Sequence, residues 1–191
     1  VELFAARGWN VAATMRTPET AAAFEAASTA KAGSIRALRL DVTDEASIAA
    51  AIEATIAAFG RIDVVVNNAG FALVGPFEAM TPGQIRRQID TNVIGPMSVT
   101  RAVLPHFRAR RAGTIVNVAS VGGRLTFPLY SVYNATKWAV DGFSEALSFE
   151  LREHGIRVKI IEPGPIDTRF LEHAIDALKR NVTIGELVEA N

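Results

Sequence analysis

The chain contains no cysteine, which excludes a disulfide framework, thiol catalysis and a cysteine metal site. Its histidines, His106, His154 and His173, are scattered without ligand spacing, so no metal centre is expected. No charge excess exists either: 20 Lys plus Arg balance 20 Asp plus Glu, for a formal net charge of zero. That argues against a nucleic-acid partner, which usually needs surplus positive charge. The run Arg108-Ala109-Arg110-Arg111 reads as a solvated helix end, where cations meet the negative end of the dipole. No uninterrupted apolar run is long enough to span a bilayer and no signal peptide is visible, so a cytoplasmic protein without a membrane span is expected. The sequence also lacks an internal repeat, a linker and a GxGxxG-type phosphate loop.

What is present is a chain of 191 residues, 49% hydrophobic, enough for one domain over residues 1–191 with a substantial core. Strand-like and helix-like segments alternate. Asn10–Arg16 reads as a strand, and Thr17 with Pro18 opens a helix to about Ala30. Ile35–Leu40 alternates apolar and basic residues like an edge strand, and Thr43 with Asp44 and Glu45 starts the next helix. Asp63–Asn67 is a β-branched run expected to be covered on both faces. Thr81-Pro82-Gly83-Gln84 is a capping-box start to a long helix that Gly95-Pro96 kinks. Thr114–Ala119 and Val158–Ile161 are further strands; a helix carrying Tyr133 runs between them and stops near Gly155, and helical sequence follows to the end.

This alternation predicts an α/β fold, a doubly wound parallel sheet with helices on both faces. Ligands in such sheets bind at the carboxyl ends of the strands. The positions just past the strands are Arg16, Asp41, Asn68-Ala69-Gly70, Ser120 and Pro163-Gly164. All are polar, small or turn-forming, as one ligand-binding rim requires. Val1–Arg7 reads as the second half of a helix ending at Gly8, so an earlier strand and glycine-rich turn are expected to precede it. Without that central strand, the sheet would expose two unpaired strand edges.

Tyr133 and Lys137 lie four residues apart and share a helix face. An ammonium one turn from a phenol favours the phenolate and pulls its pKa down from about 10. That suits proton transfer to or from an alcohol oxygen. Alone, the pair is better read as a surface helix with a snorkelling lysine.

Taken together, Asp41-Val42, Asn67-Asn68-Ala69-Gly70, Asn92, Ser120, Tyr133-Asn134-Ala135-Thr136-Lys137 and Pro163-Gly164-Pro165-Ile166-Asp167-Thr168 resemble, in order and spacing, the classical short-chain dehydrogenase/reductase family. The resemblance runs from Val1 to about Phe170, without the family's N-terminal glycine motif, first strand and last strand. It implies a Rossmann-like fold with Tyr133 as acid or base and Lys137 lowering its pKa and bonding the nicotinamide ribose. It also implies that Ser120 bonds the substrate oxygen and Asn92 helps hold a proton-relaying water. By the same resemblance Asn68, Ala69 and Gly70 line the cofactor, Asp41 and Val42 meet the adenine, and Pro163, Gly164, Ile166 and Thr168 contact the nicotinamide side.

NAD-preferring relatives place an acid at the end of the second strand. Here Met15 and Arg16 stand there, and Arg16 suits a 2′-phosphate, so NADP(H) is the expected cofactor over NAD(H). The largely apolar stretches Phe71–Met80 and Val121–Tyr130 either line a site for a hydrophobic carbonyl or secondary alcohol, or pack loops and subunit contacts. The family implies a homodimer or homotetramer built on its long helices, and Gly142 and Ala146 offer close packing. The competing class is a non-catalytic dinucleotide-binding regulatory or scaffolding protein on the same fold. Such relatives tend to lose the catalytic tyrosine or lysine.

Overall fold

The computed structural model describes residues 1–18 and 33–165. A short helix, α1 (Glu2–Ala5), leads into β1 (Val11–Met15), and β2 (Ile35–Arg39) follows. Next come α2 (Glu45–Phe59), β3 (Val64–Asn67), α3 (Pro82–Ile89), a π-helical turn (Asp90–Ile94) and α4 (Gly95–Arg110). The series closes with β4 (Gly113–Val118), a 3-10 turn (Val121–Gly123), α5 (Ser131–Leu151) and β5 (Ile156–Ile161). The helix expected from Thr17 to Ala30 lies, past Pro18, outside the described residues, as does the helical sequence expected at the end.

β1 and β2 pair in parallel, with Val11 opposite Ile35. β3, β4 and β5 form a second parallel sheet in that order, with Val64 opposite Thr114 and Gly113 opposite Ile156. Among the described residues the two sheets are not hydrogen-bonded to each other, so β1 and β3 each present an edge, as the element order predicts. Parallel strands bring their carboxyl ends to one side of each sheet.

The main core joins Val103 and Phe107 of α4, Leu147 and Leu151 of α5, Ile115, Ile156 and Ile62. Each such side chain stabilises the fold by about 2 kcal/mol on burial. Gly113 opens β4 because a Cβ there would lie 2.4 Å from the Phe107 ring. The β3 run is not covered on both faces as expected: Val65 packs on the core, but Val66 is 51% exposed. It shares its sheet face with Val116 and Lys159 by register, whereas the core cluster lies on the Ile115 face.

The long helix after Thr81 runs on to Arg110 with one irregularity, as expected. The Thr81–Gln84 capping box forms as expected, and the irregularity falls on the π-helical turn before Gly95 rather than on Gly95-Pro96 itself. Asp44, not Thr43, caps α2, its side chain accepting from the Ala46 and Ser47 N–H groups. Thr43 is engaged elsewhere, donating its hydroxyl to Asp41 Oδ1 at 2.7 Å.

A buried polar network fixes the strand ends beneath the site. Asn67 Nδ2 donates to Asn117 Oδ1 at 2.8 Å and to Thr100 Oγ1 at 3.2 Å, and Asn117 Nδ2 donates to Ser144 Oγ at 2.7 Å. Satisfied amide pairs of this kind are rigid because any shift would orphan a buried group.

Candidate active site

Tyr133 and Lys137 sit in the first turns of α5, on the face that also carries Val140, Ser144, Leu147 and Leu151. Both are buried, at 7% and 8% exposure, which rules out the surface-helix reading of the pair. Lys137 reaches the end of β4 and donates from Nζ to the Val118 carbonyl at 2.9 Å. Ser120 lies beyond the same strand end. Its Oγ accepts from the Gly122 N–H at 3.0 Å and shares a hydrogen bond with the Tyr133 phenol. The serine and tyrosine hydroxyls therefore converge, with the ammonium 5.7 Å from the tyrosine ring centre.

The electrostatics differ from the sequence expectation in one respect. Burial pushes the Tyr133 phenol above its ordinary value, the Ser120 hydrogen bond pulling the other way. Lys137 is not among the groups that bring it down here; its ammonium donates to the Val118 carbonyl. Burial lowers the Lys137 pKa to about 8, against a smaller upward pull from Asp141.

Asn92, in the π-helical turn, is buried and fully engaged. Its Nδ2 donates to the Phe71 carbonyl at 2.8 Å and to Thr136 Oγ1 at 3.2 Å, and its Oδ1 accepts from the Phe71 N–H at 3.1 Å. Thr136 in turn donates to the Tyr133 carbonyl at 2.7 Å. The Asn92 side chain thus clamps the chain after β3 to the tyrosine helix. Gly70 is exposed beside this clamp, where a Cβ would stand 3.2 Å from Asn92 Oδ1 and 4.0 Å from Lys137 Nζ. Asn68 and Ala69 are exposed with it.

On the other sheet, Asp41 accepts from both the N–H and the hydroxyl of Thr43. These bonds hold its carboxyl below the usual range, aided by the charges of Arg16 and Arg39. Arg16, exposed past the end of β1, therefore lies on the Asp41 side. Val42 packs against the start of α4, close enough that a Cβ on Gly95 would lie 2.7 Å from it. Pro163 joins the Ser120 turn, its carbonyl accepting from the Val121 N–H at 3.0 Å, and Gly164 is exposed beside it. Ile166 and Thr168 lie outside the described residues.

The sequence reading missed Thr136 and Gln88 as site supports. Thr136 could have been found by its place between Tyr133 and Lys137 on the shared face. Gln88 is fully buried and donates to the Phe71 carbonyl at 3.0 Å; a polar residue on the inner face of a short helix was the available signal.

The two apolar stretches meet over this cluster: the Gly75 N–H donates to the Leu129 carbonyl at 2.9 Å. Ala72 and Val74 pack on Tyr133, and the Tyr130 ring meets the Tyr133 ring edge-on at 5.9 Å. An open depression of about 560 Å³ is lined by Phe127, Pro128, Leu129 and Trp138 among others, with none of the four catalytic candidates in its wall. Among the described residues no helix is long and apolar enough to cross a membrane.

A family profile described as short chain dehydrogenase matches residues 1–179. An uncharacterised oxidoreductase of Schizosaccharomyces pombe is 47% identical over 132 residues, 69% of this chain and 56% of its own length. Human 17-beta-hydroxysteroid dehydrogenase type 1 is 37% identical over 172 residues, 88% of this chain and 52% of its own. The chain spans about half the length of the curated relatives it matches. Among solved structures, a gluconate 5-dehydrogenase from Burkholderia cenocepacia in complex with NADP and tartrate is similar, with TM-score 0.82 and 30% identity, over 91% of this chain and 70% of that one.

Proposed function

Because this chain belongs to the short chain dehydrogenase family, we propose that it is the catalytic and cofactor-binding part of an oxidoreductase, folded as one domain, that moves a hydride between NADP(H) and a carbonyl or secondary alcohol of a hydrophobic small molecule. The single observation that carries this reading is the convergence of the Ser120 and Tyr133 hydroxyls beside the buried Lys137 ammonium.

The residues present suit a nicotinamide dinucleotide. Past β3 the backbone is bare at Gly70, next to Lys137 Nζ. An ammonium has three donors, and Val118 takes one, which leaves others for ribose hydroxyls. Arg16 is exposed where a 2′-phosphate would be read, with no acid at Met15. Asp41 and Val42 serve the adenine side, and Asn68, Ala69, Pro163, Gly164, Ile166 and Thr168 complete the wall. The NADP bound by the similar gluconate 5-dehydrogenase supports the choice.

When bound, the cofactor supplies or accepts the hydride. The chain's own residues manage the proton and the charge. Ser120 donates to the substrate oxygen and holds it against the Tyr133 hydroxyl. Tyr133 delivers its proton to that oxygen in reduction and removes it in oxidation. Negative charge passing to the phenol is stabilised by Lys137, an interaction strongest in the transition state. Asn92 acts by holding the Phe71 segment and the tyrosine helix together at the water-relay position. The apolar wall of Ala72, Val74 and Tyr130 favours a hydrophobic substrate, in keeping with the steroid named for the human relative. A homo-oligomer forms through α4 and α5.

The test is Tyr133→Phe in the full-length protein. Turnover with NADPH across a panel of ketones should fall by about 100-fold or more, while NADPH binding, read by fluorescence, stays within a few-fold. Turnover within a few-fold of wild type would refute the reading.

A further inference from the structure

Asp141 stands one helical turn beyond Lys137 on the same buried face of α5, 5% exposed. Among the described residues neither of its carboxyl oxygens accepts a hydrogen bond. The nearest cation among the described residues is the Arg124 guanidinium, with Nε 3.8 Å from Oδ2. Arg124 is already committed to Glu162, donating to Oε1 at 2.7 Å. The carboxyl is pressed against the turn that follows Ser120: a Cβ on Gly123 would lie 2.1 Å from Oδ2. A side chain at that position would have to displace the carboxyl.

A buried carboxyl without donors lowers stability, and a small neutral residue would fill the same space more cheaply. A fold that keeps such a group, and keeps a glycine to house it, uses its charge. The buried cation one helical turn away on the same face, beyond ion-pair distance, is Lys137. Its ammonium is desolvated, and it donates to the neutral Val118 carbonyl. We propose that Asp141 is a positioning residue for the reading given above, its carboxylate holding Lys137 as an ammonium from beneath the Ser120 turn. The charged groups facing Asp141 are Lys137 and Glu145 on α5, Arg124 on the turn after β4, and Glu162 after β5. Burial raises the Asp141 pKa, Glu162 and Glu145 add to this, and Arg124 and Lys137 oppose it. Two opposite charges buried one turn apart therefore each offset the other's desolvation.

The experiment is an NMR titration of the lysine ε-carbons in the full-length protein, with Lys137 assigned by its loss in Lys137→Arg. The wild-type Lys137 midpoint is expected at about 8. In Asp141→Asn it moves down, so that near about pH 7.5 the ammonium fraction falls at least twofold. Asp141→Ser, smaller in the same space, gives the same shift if the asparagine variant does not fold. A midpoint that is unchanged or higher in the folded variant overturns the proposal. This readout needs no substrate, so it is separate from the Tyr133→Phe result: retained turnover there defeats the catalytic reading, whereas an unmoved Lys137 midpoint defeats only the role of Asp141.

Discussion

Replacing Asn92 with alanine tests whether its side chain is a structural clamp. The amide makes three hydrogen bonds: from the Phe71 N–H, to the Phe71 carbonyl and to Thr136 Oγ1. Removal does not strand all of those partners. The Phe71 carbonyl keeps the Gln88 amide, and Thr136 keeps the Tyr133 carbonyl as its acceptor. The Phe71 N–H is the group left without its side-chain acceptor, at about 1–3 kcal/mol for a buried donor. Adding about 1 kcal/mol for the two remaining bonds lost gives about 2–4 kcal/mol. Urea unfolding of wild type and Asn92→Ala at neutral pH measures this directly, through the midpoint at constant slope. Asn92→Asp should be no better, since a carboxylate oxygen would face the Phe71 carbonyl. An Asn92→Ala protein less than about 0.5 kcal/mol weaker than wild type, within the range of ordinary surface changes, would refute the clamp. The side chain would then act on a water alone.

Arg16→Ala should raise KM for NADPH about tenfold and leave KM for NADH within about twofold, the loss of one exposed charge-assisted contact; a preference for NAD(H) that survives the substitution would sink the cofactor assignment. Lys137→Met should abolish turnover and yet raise stability at neutral pH. The wild-type lysine has a folded pKa of about 8 against 10.5, so its ammonium penalises folding fully below pH 8 and less and less as pH rises toward the unfolded value. The gain is therefore up to about 3 kcal/mol near neutrality and shrinks above pH 8; urea unfolding that gives the same difference at about pH 7 and about pH 10 would contradict it. Size-exclusion chromatography at micromolar concentration should show a dimer or tetramer, and substitution of the exposed α5 residue Phe149 (65% exposed) by glutamate should shift it toward monomer; a wild-type monomer would count against the oligomer.

Much of the fold was legible because local chemistry and tertiary packing agreed. The Thr81–Gln84 capping box, the β-branched run at β3 and the face shared by Val140, Leu147 and Leu151 each specify one element. Where the reading slipped, a competing partner decided. Thr43 is a good helix cap by type, but Asp41 claims its hydroxyl and Asp44 takes the cap. The interruption before α4 was legible as Gly95-Pro96, but its form was not. A π-helical turn depends on what the extra residue gains, here the swing of Asn92 onto Phe71, and that gain is made across 21 residues of chain. The open face at Val66 likewise depends on which elements cover the sheet, which strand periodicity does not encode.

The candidate site shows the same division at the level of charge. Spacing put Tyr133 and Lys137 on one face, but it could not say which way their protons lean. A lysine one turn from a tyrosine in water stabilises the phenolate; the same pair buried competes for scarce solvation. In this structure desolvation outweighs the Ser120 hydrogen bond at Tyr133 and the Asp141 charge at Lys137, raising the phenol and lowering the amine. A site in that state holds its tyrosine protonated, which suits donation to a carbonyl oxygen. Its lysine carries the charge only near and below neutrality. The reductive direction is therefore expected to hold up at lower pH than the oxidative one, because oxidation needs the phenol deprotonated. The two limbs measured on one ketone–alcohol pair should separate in that order.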